Sequence, residues 1–150
     1  MSRKEKNPVV IVIDDDPEWR EFVSGQLRAT CKILGAASGQ DGFRMARRVK
    51  PDLILLDVMM PGEKDGFTVF RDLRQDKATG KIPVVIVSEI NRIMALSFDR
   101  SFIGEYLGHS PDAFVEKPVT GSRLRGLVAR FTGAGPKAAG SPARPSGKRE

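Results

Sequence analysis

Three carboxylates, a hydroxyl and an ammonium group stand at comparable points of this sequence. Asp14 and Asp15 follow the apolar run Val9–Ile13, Asp57 follows Leu53–Leu56, Ser88 follows Pro83–Val87, and Lys117 comes just after Ala113–Val115. Clustered carboxylates repel one another unless a cation neutralises them. An all-oxygen set suits Mg2+, which retains waters and also takes backbone oxygens. The same set fits one reaction type. An aspartate attacking a phosphoryl group needs the approaching negative charges offset, and a magnesium ion with a lysine ammonium supplies that positive charge.

The elements that must bring these groups together are legible as runs. Val9–Ile13 and Leu53–Leu56 are short and uninterrupted, the pattern of strands buried on both faces of a parallel sheet. Pro83–Val87 and Ala113–Val115 read the same way, and Lys32–Ala36 is a weaker fifth strand. After Asp15, Asp16 can cap free amides, Pro17 suits a first helical turn and Glu18 favours the positive helix end; Trp19, Phe22, Val23 and Leu27 supply the apolar stripe. Further helices are expected over Gly39–Val49, from about Phe67 to Gln75, and over Gly121–Phe131, where Leu124, Leu127, Val128 and Phe131 share a face. Alternation of five strands with helices implies right-handed crossovers and an α/β fold: a doubly wound five-stranded parallel sheet with helices on both faces. In such sheets chemistry sits beyond the carboxyl ends of the strands, where all five polar residues fall.

Length and composition limit the rest. A chain of 150 residues, 40% hydrophobic and 29% charged, is expected to form one globular domain. Of the net charge of +6, residues 1–7 and 133–150 carry +5, leaving the body near neutral. The expected organisation is a basic N-terminus over 1–7, a folded domain over 8–132 and a flexible basic Gly/Pro/Ala/Ser-rich tail over 133–150. The lone Cys31 cannot form an internal disulfide, reads as a packing residue and fits a reducing cytoplasm. The five-residue run Val9–Ile13 ends in aspartates and is far short of the roughly 20 residues that span a bilayer.

Four segments together carry a resemblance: Val12-Ile13-Asp14-Asp15-Asp16-Pro17, Leu53-Ile54-Leu55-Leu56-Asp57-Val58-Met59-Met60-Pro61, Pro83-Val84-Val85-Ile86-Val87-Ser88 and Phe114-Val115-Glu116-Lys117-Pro118. Over roughly residues 8–131 the chain resembles the receiver domain of two-component response regulators, a flavodoxin-like fold. The resemblance implies that Asp57 accepts a phosphoryl group from a histidine kinase or phosphotransfer protein. It implies that Asp14, Asp15, Asp57 and the backbone carbonyl of Met59 hold Mg2+. It also implies that Ser88 hydrogen-bonds the phosphoryl oxygens, that Lys117 pairs with the group, and that Ser88 and an aromatic at Phe114 form the switch. Phe114 has no hydroxyl, so a switch there works by packing alone; as an isolated residue it reads first as core. Ser88 as an ordinary loop hydroxyl, Lys117 as a surface lysine, Trp19 as helix packing and His109 as a surface loop residue are the plainer readings; for Trp19 the alternative, from its place just after the acids, is sensitivity to metal or phosphorylation.

Two departures from the resemblance stand out. The stretch between Ser88 and Lys117 is several residues long for the pattern, so an elongated or rearranged fourth helical region is expected over Asn91–Ser110. The loop Pro61–Gly66 is one residue longer than usual. The function expected is a single-domain, cytoplasmic phosphoacceptor switch. It has no enzymatic turnover beyond its own phosphorylation and dephosphorylation, no DNA-binding domain and no membrane segment. It signals to a protein target through the fourth helix, fifth strand and fifth helix, with room for a weak homodimer. The alternatives are a phosphorylation-independent adaptor, a magnesium-dependent phosphatase or nuclease, and nucleic-acid binding by the tail.

Overall fold

The computed structural model describes residues 7–58, 66–89 and 111–133. Elements are labelled in chain order among these residues: β1 (Val9–Ile13), α1 (Pro17–Leu27), β2 (Lys32–Ala36), α2 (Gly39–Val49), β3 (Leu53–Leu56), α3 (Gly66–Gln75), β4 (Val84–Ser88), β5 (Ala113–Glu116) and α4 (Gly121–Thr132). The expected helical region over Asn91–Ser110, His109, Met59, most of the loop after Met60, and nearly all of both basic ends lie outside the described residues.

The five strands form one parallel sheet in the order β2-β1-β3-β4-β5. Side chains alternate between its faces, as the two-residue period of a strand requires. Ile11, Ile13, Ile54, Leu56, Val84 and Ile86 pack with Ala46 of α2 and with Val69, Phe70 and Leu73 of α3. Val10, Val12, Leu53, Leu55, Val85 and Val87 pack with Val23 and Leu27 of α1 and with Leu124, Leu127 and Val128 of α4. The uninterrupted apolar strands are thus explained by a helical layer on each side. Cys31 is a buried free thiol in the second layer, as its packing reading required.

Most element bounds match the sequence expectation, and the exceptions have local causes. β4 begins at Val84, since Pro83 has no N–H to give the ladder. β4 and β5 each run one residue further, because Ser88 pairs with Glu116 at the last rung. The last helix gains Thr132, whose hydroxyl donates to the Val128 carbonyl, and stops at Gly133 in the left-handed region, φ 78°. One close approach demands glycine: a Cβ at Gly42 would collide with Ile13 Cδ1, so its absence lets α2 settle on β1.

The entry to β5 is also pinned. Arg74 of α3 donates to Asp112 Oδ2 at 2.6 Å and to the Ile82 carbonyl at 2.8 Å, and the same carboxylate oxygen accepts the Val84 amide at 2.8 Å. Among the described residues no helix is long and apolar enough to cross a membrane.

Candidate functional site

The sheet order puts a reversal of direction between β1 and β3, and the crevice beyond their carboxyl ends collects the polar residues. Backbone rungs fix each group. The Asp14 amide donates to the Ala36 carbonyl at 3.0 Å, the Asp57 amide to the Ile13 carbonyl at 2.9 Å, and the Lys117 amide to the Ser88 carbonyl at 3.0 Å. Asp14, Asp57 and Lys117 therefore stand one rung past the strands, held by the same ladder.

The side chains converge. Carboxylate oxygens of Asp14, Asp15 and Asp57 all lie within 4.8 Å of one another. Asp14 and Asp57 are buried, Ser88 is fully so, and Asp15 is exposed at the rim. Lys117 Nζ donates to Asp14 Oδ2 at 2.7 Å and stands 3.5 Å from Asp57 Oδ2. Ser88 Oγ donates to Asp57 Oδ1 at 2.7 Å. The turn into α1 aims the first acid: Asp14 Oδ1 accepts the Asp16 amide at 2.9 Å, and Asp16 Oδ1 caps the helix by accepting from Glu18 at 3.0 Å.

Three carboxylates against one ammonium leave an uncompensated negative charge in a mostly buried place. A single hard cation, binding oxygens at about 2.1 Å, would close the gap between the acids with small side-chain movements. The donor set, all oxygen and without nitrogen or sulfur, fits such an ion.

Burial pushes the Asp14 carboxyl up from 3.8 to about 6; the Lys117 hydrogen bond and the Asp16 amide restrain the rise, and the charge of Asp57 adds to it. For Lys117, burial alone would lower the ammonium, but the hydrogen bond to Asp14 and the charges of Asp14 and Asp57 outweigh it and hold the group above 10.5. A raised carboxyl favours the protonated folded state. Its contribution to stability is full below pH 3.8 and lost as pH rises to about 6. A cation competes with that proton. Mg2+ affinity measured by titration calorimetry is therefore expected to fall steeply as pH drops below about 6, and a flat profile from about pH 5 to 8 would contradict it.

The structure brings Asp14, Asp15, Asp57, Ser88 and Lys117 into one crevice, while the Met59 carbonyl lies outside the described residues. Phe114 on β5 is half-buried and packs against the layer of α2 and α3, consistent with its core reading. Two further residues reach the site. Arg20 of α1 donates to the Asp14 carbonyl at 2.8 Å, and the Trp19 ring lies 4.7 Å from Lys117 Nζ. Neither contact has a signal in the sequence beyond the residue's place one turn after the acids, because both depend on how α1 leans on the sheet.

The family model for the response regulator receiver domain matches residues 10–129. The transcriptional regulatory protein AfsQ1 of Streptomyces coelicolor is 34% identical over 128 residues, covering 82% of this chain and 52% of the relative. The DNA-binding dual master transcriptional regulator RpaA of Synechocystis is 40% identical over 87 residues, covering 57% of this chain and 36% of the relative. The chain thus spans about half or less of the length of both. Among solved structures, the receiver domain of the sensor histidine kinase PA1611 from Pseudomonas aeruginosa superposes with a TM-score of 0.71 at 22% identity, covering 85% of this chain and 98% of that one.

Proposed function

The chain belongs to the response regulator receiver domain family, and from that membership and the geometry of the crevice we propose that Asp57 is the phosphoacceptor of a phosphorelay. The observation that carries this reading is the convergence of Asp14, Asp15, Asp57, Ser88 and Lys117 at four strand ends. A phosphohistidine of a histidine kinase or phosphotransfer protein is the donor. The Asp57 carboxylate forms the new P–O bond as the P–N bond breaks and the histidine nitrogen leaves with the electron pair.

Asp14, Asp15 and Asp57 would hold Mg2+, with the Met59 carbonyl as a further ligand; when bound, the ion offsets the charge of the incoming phosphoryl oxygens. The PA1611 receiver domain was crystallised with a magnesium ion coordinated in its active site cleft, which supports the choice of ion. Ser88, which donates to Asp57, would donate to a phosphoryl oxygen instead. Lys117 supplies the second positive charge. The chemistry is confined to gain and loss of the phosphoryl group on this domain, without turnover of another substrate.

The receiver unit is assigned to residues 8–132, with the basic ends outside it. The protein acts in the cytoplasm through contacts with a protein target, using a face that includes β5 and α4, with Ser88 and Phe114 as the switch pair. The DNA-binding role named for RpaA stays with that longer protein. Intact mass with a small phosphodonor and Mg2+ tests the core of this reading: a single phosphoryl adduct is expected, absent when the metal is chelated. A folded, Mg2+-binding protein that gains no adduct would favour the phosphorylation-independent adaptor, for which Asp57→Asn leaves partner affinity unchanged.

A further inference from the structure

Lys117 has more neighbours than the two carboxylates. Its Nζ gives a short hydrogen bond to Asp14, and the 3.5 Å to Asp57 is too long for a strong one. On another side the ammonium lies 4.7 Å from the centroid of the Trp19 ring, the only tryptophan in the chain. The Lys117 side chain is 13% exposed, so it keeps little contact with water.

The half-buried ring is positioned by the same turn as Asp14. Trp19 lies in the first turn of α1, whose start is set by the Asp16 cap, by Pro17 and by Arg20 donating to the Asp14 carbonyl. The turn that aims the Asp14 carboxylate therefore also aims the indole. Phe22 backs the ring at 5.4 Å between centroids, and both side chains pack on the layer of α1 and α4.

An aromatic face attracts a cation through its quadrupole, within about 6 Å of the centroid. Unlike a hydrogen bond, that attraction has little preference for lateral position on the face. A lysine held this way can change carboxylate partners without first returning to water. We propose that Trp19 is a positioning residue for Lys117: its face shields the ammonium and keeps it over the acids, free to move from Asp14 to a phosphoryl group on Asp57. This role rests on the phosphoacceptor reading above and goes beyond it, since it assigns to the start of α1 a share in the handling of charge. A purely packing role asks only for an apolar side chain of similar bulk, and that difference is measurable.

The whole 150-residue chain is compared as wild type, Trp19→Phe and Trp19→Leu. The first measurement is the rate of adduct formation from acetyl phosphate at saturating Mg2+. Trp19→Leu is expected to be about threefold to tenfold slower, as loss of a cation–π contact implies, with Trp19→Phe recovering most of the rate. Mg2+ affinity should stay within about twofold in all three, because an indole offers no oxygen ligand to a hard cation. The second measurement needs no phosphodonor. The NMR resonances of the Lys117 ε-methylene should show an upfield ring-current shift in wild type, smaller in Trp19→Phe and absent in Trp19→Leu. If Trp19→Leu does not fold, Trp19→Met takes its place.

A leucine variant that forms adduct at the wild-type rate would overturn the proposal, as would a parallel loss of Mg2+ affinity or a lysine resonance insensitive to residue 19. If no protein forms adduct, wild type included, the phosphoacceptor reading fails by itself. The lysine resonance then still decides whether Trp19 holds Lys117.

Discussion

Asp57→Asn is expected to abolish the phosphoryl adduct completely and, without a divalent cation, to make the protein more stable. The first effect follows from the loss of the attacking carboxylate oxygen. The second follows from the charges around it. Asp57 has two acids within 4.8 Å and one ammonium at 3.5 Å. At an effective dielectric of about 20, the two repulsions are at least roughly 3.5 kcal/mol each before solvent screens the exposed Asp15, and the attraction is roughly 5 kcal/mol, so removing the charge gains about 1–2 kcal/mol. Asparagine can still accept the Ser88 hydroxyl through its amide oxygen, so the hydrogen bond need not be lost. Added Mg2+ should reverse the order: it stabilises the wild type by mass action, while the variant, with one carboxylate fewer, responds less. Urea unfolding with and without Mg2+ checks both signs. A variant less stable than wild type in EDTA would mean that the acids are not in net repulsion.

Lys117→Met is expected to have the opposite consequence. Methionine fills the channel of the lysine stem but leaves Asp14, 1% exposed, and Asp57, 6% exposed, without their cation. Removing one partner of a buried ion pair typically costs about 3–5 kcal/mol. The loss should be largest in metal-free protein at neutral pH. It should shrink as pH falls toward about 6, because without Lys117, which lowers it, the Asp14 carboxyl takes up its proton above that value, and shrink again when Mg2+ replaces the missing charge. Unfolding midpoints on a grid of pH and Mg2+ measure this. A loss that ignores both variables would reduce Lys117 to packing.

The strands are readable because burial on both faces leaves no polar residue in the runs, so Val9–Ile13 and Leu53–Leu56 have their observed bounds. The acids are readable for the complementary reason: polar residues directly after such runs have only the crevice at the strand ends to occupy. Ends governed by one hydrogen bond are less visible. Glu116 joins β5 only because Ser88 opposes it, a pairing between distant parts of the chain that no local pattern encodes. The Trp19–Lys117 contact is hidden for the same reason. An amphipathic stripe records that a residue faces inward, but not which cation it will meet once α1 and β5 are laid on one sheet.

The rungs that carry Asp14, Asp57 and Lys117 have a consequence in time as well as in space. Their amides donate to carbonyls of the sheet, so each amide becomes exchangeable only when the ladder opens at its rung. The backbones of the acceptor, the first acid and the lysine move with the opening of those rungs, while their side-chain tips can re-pair on the timescale of rotamer hops. A phosphoryl group arriving at Asp57 thus meets a frame that does not yield. Its influence must travel through what lies distal to the rungs: hydroxyl, ammonium and ring.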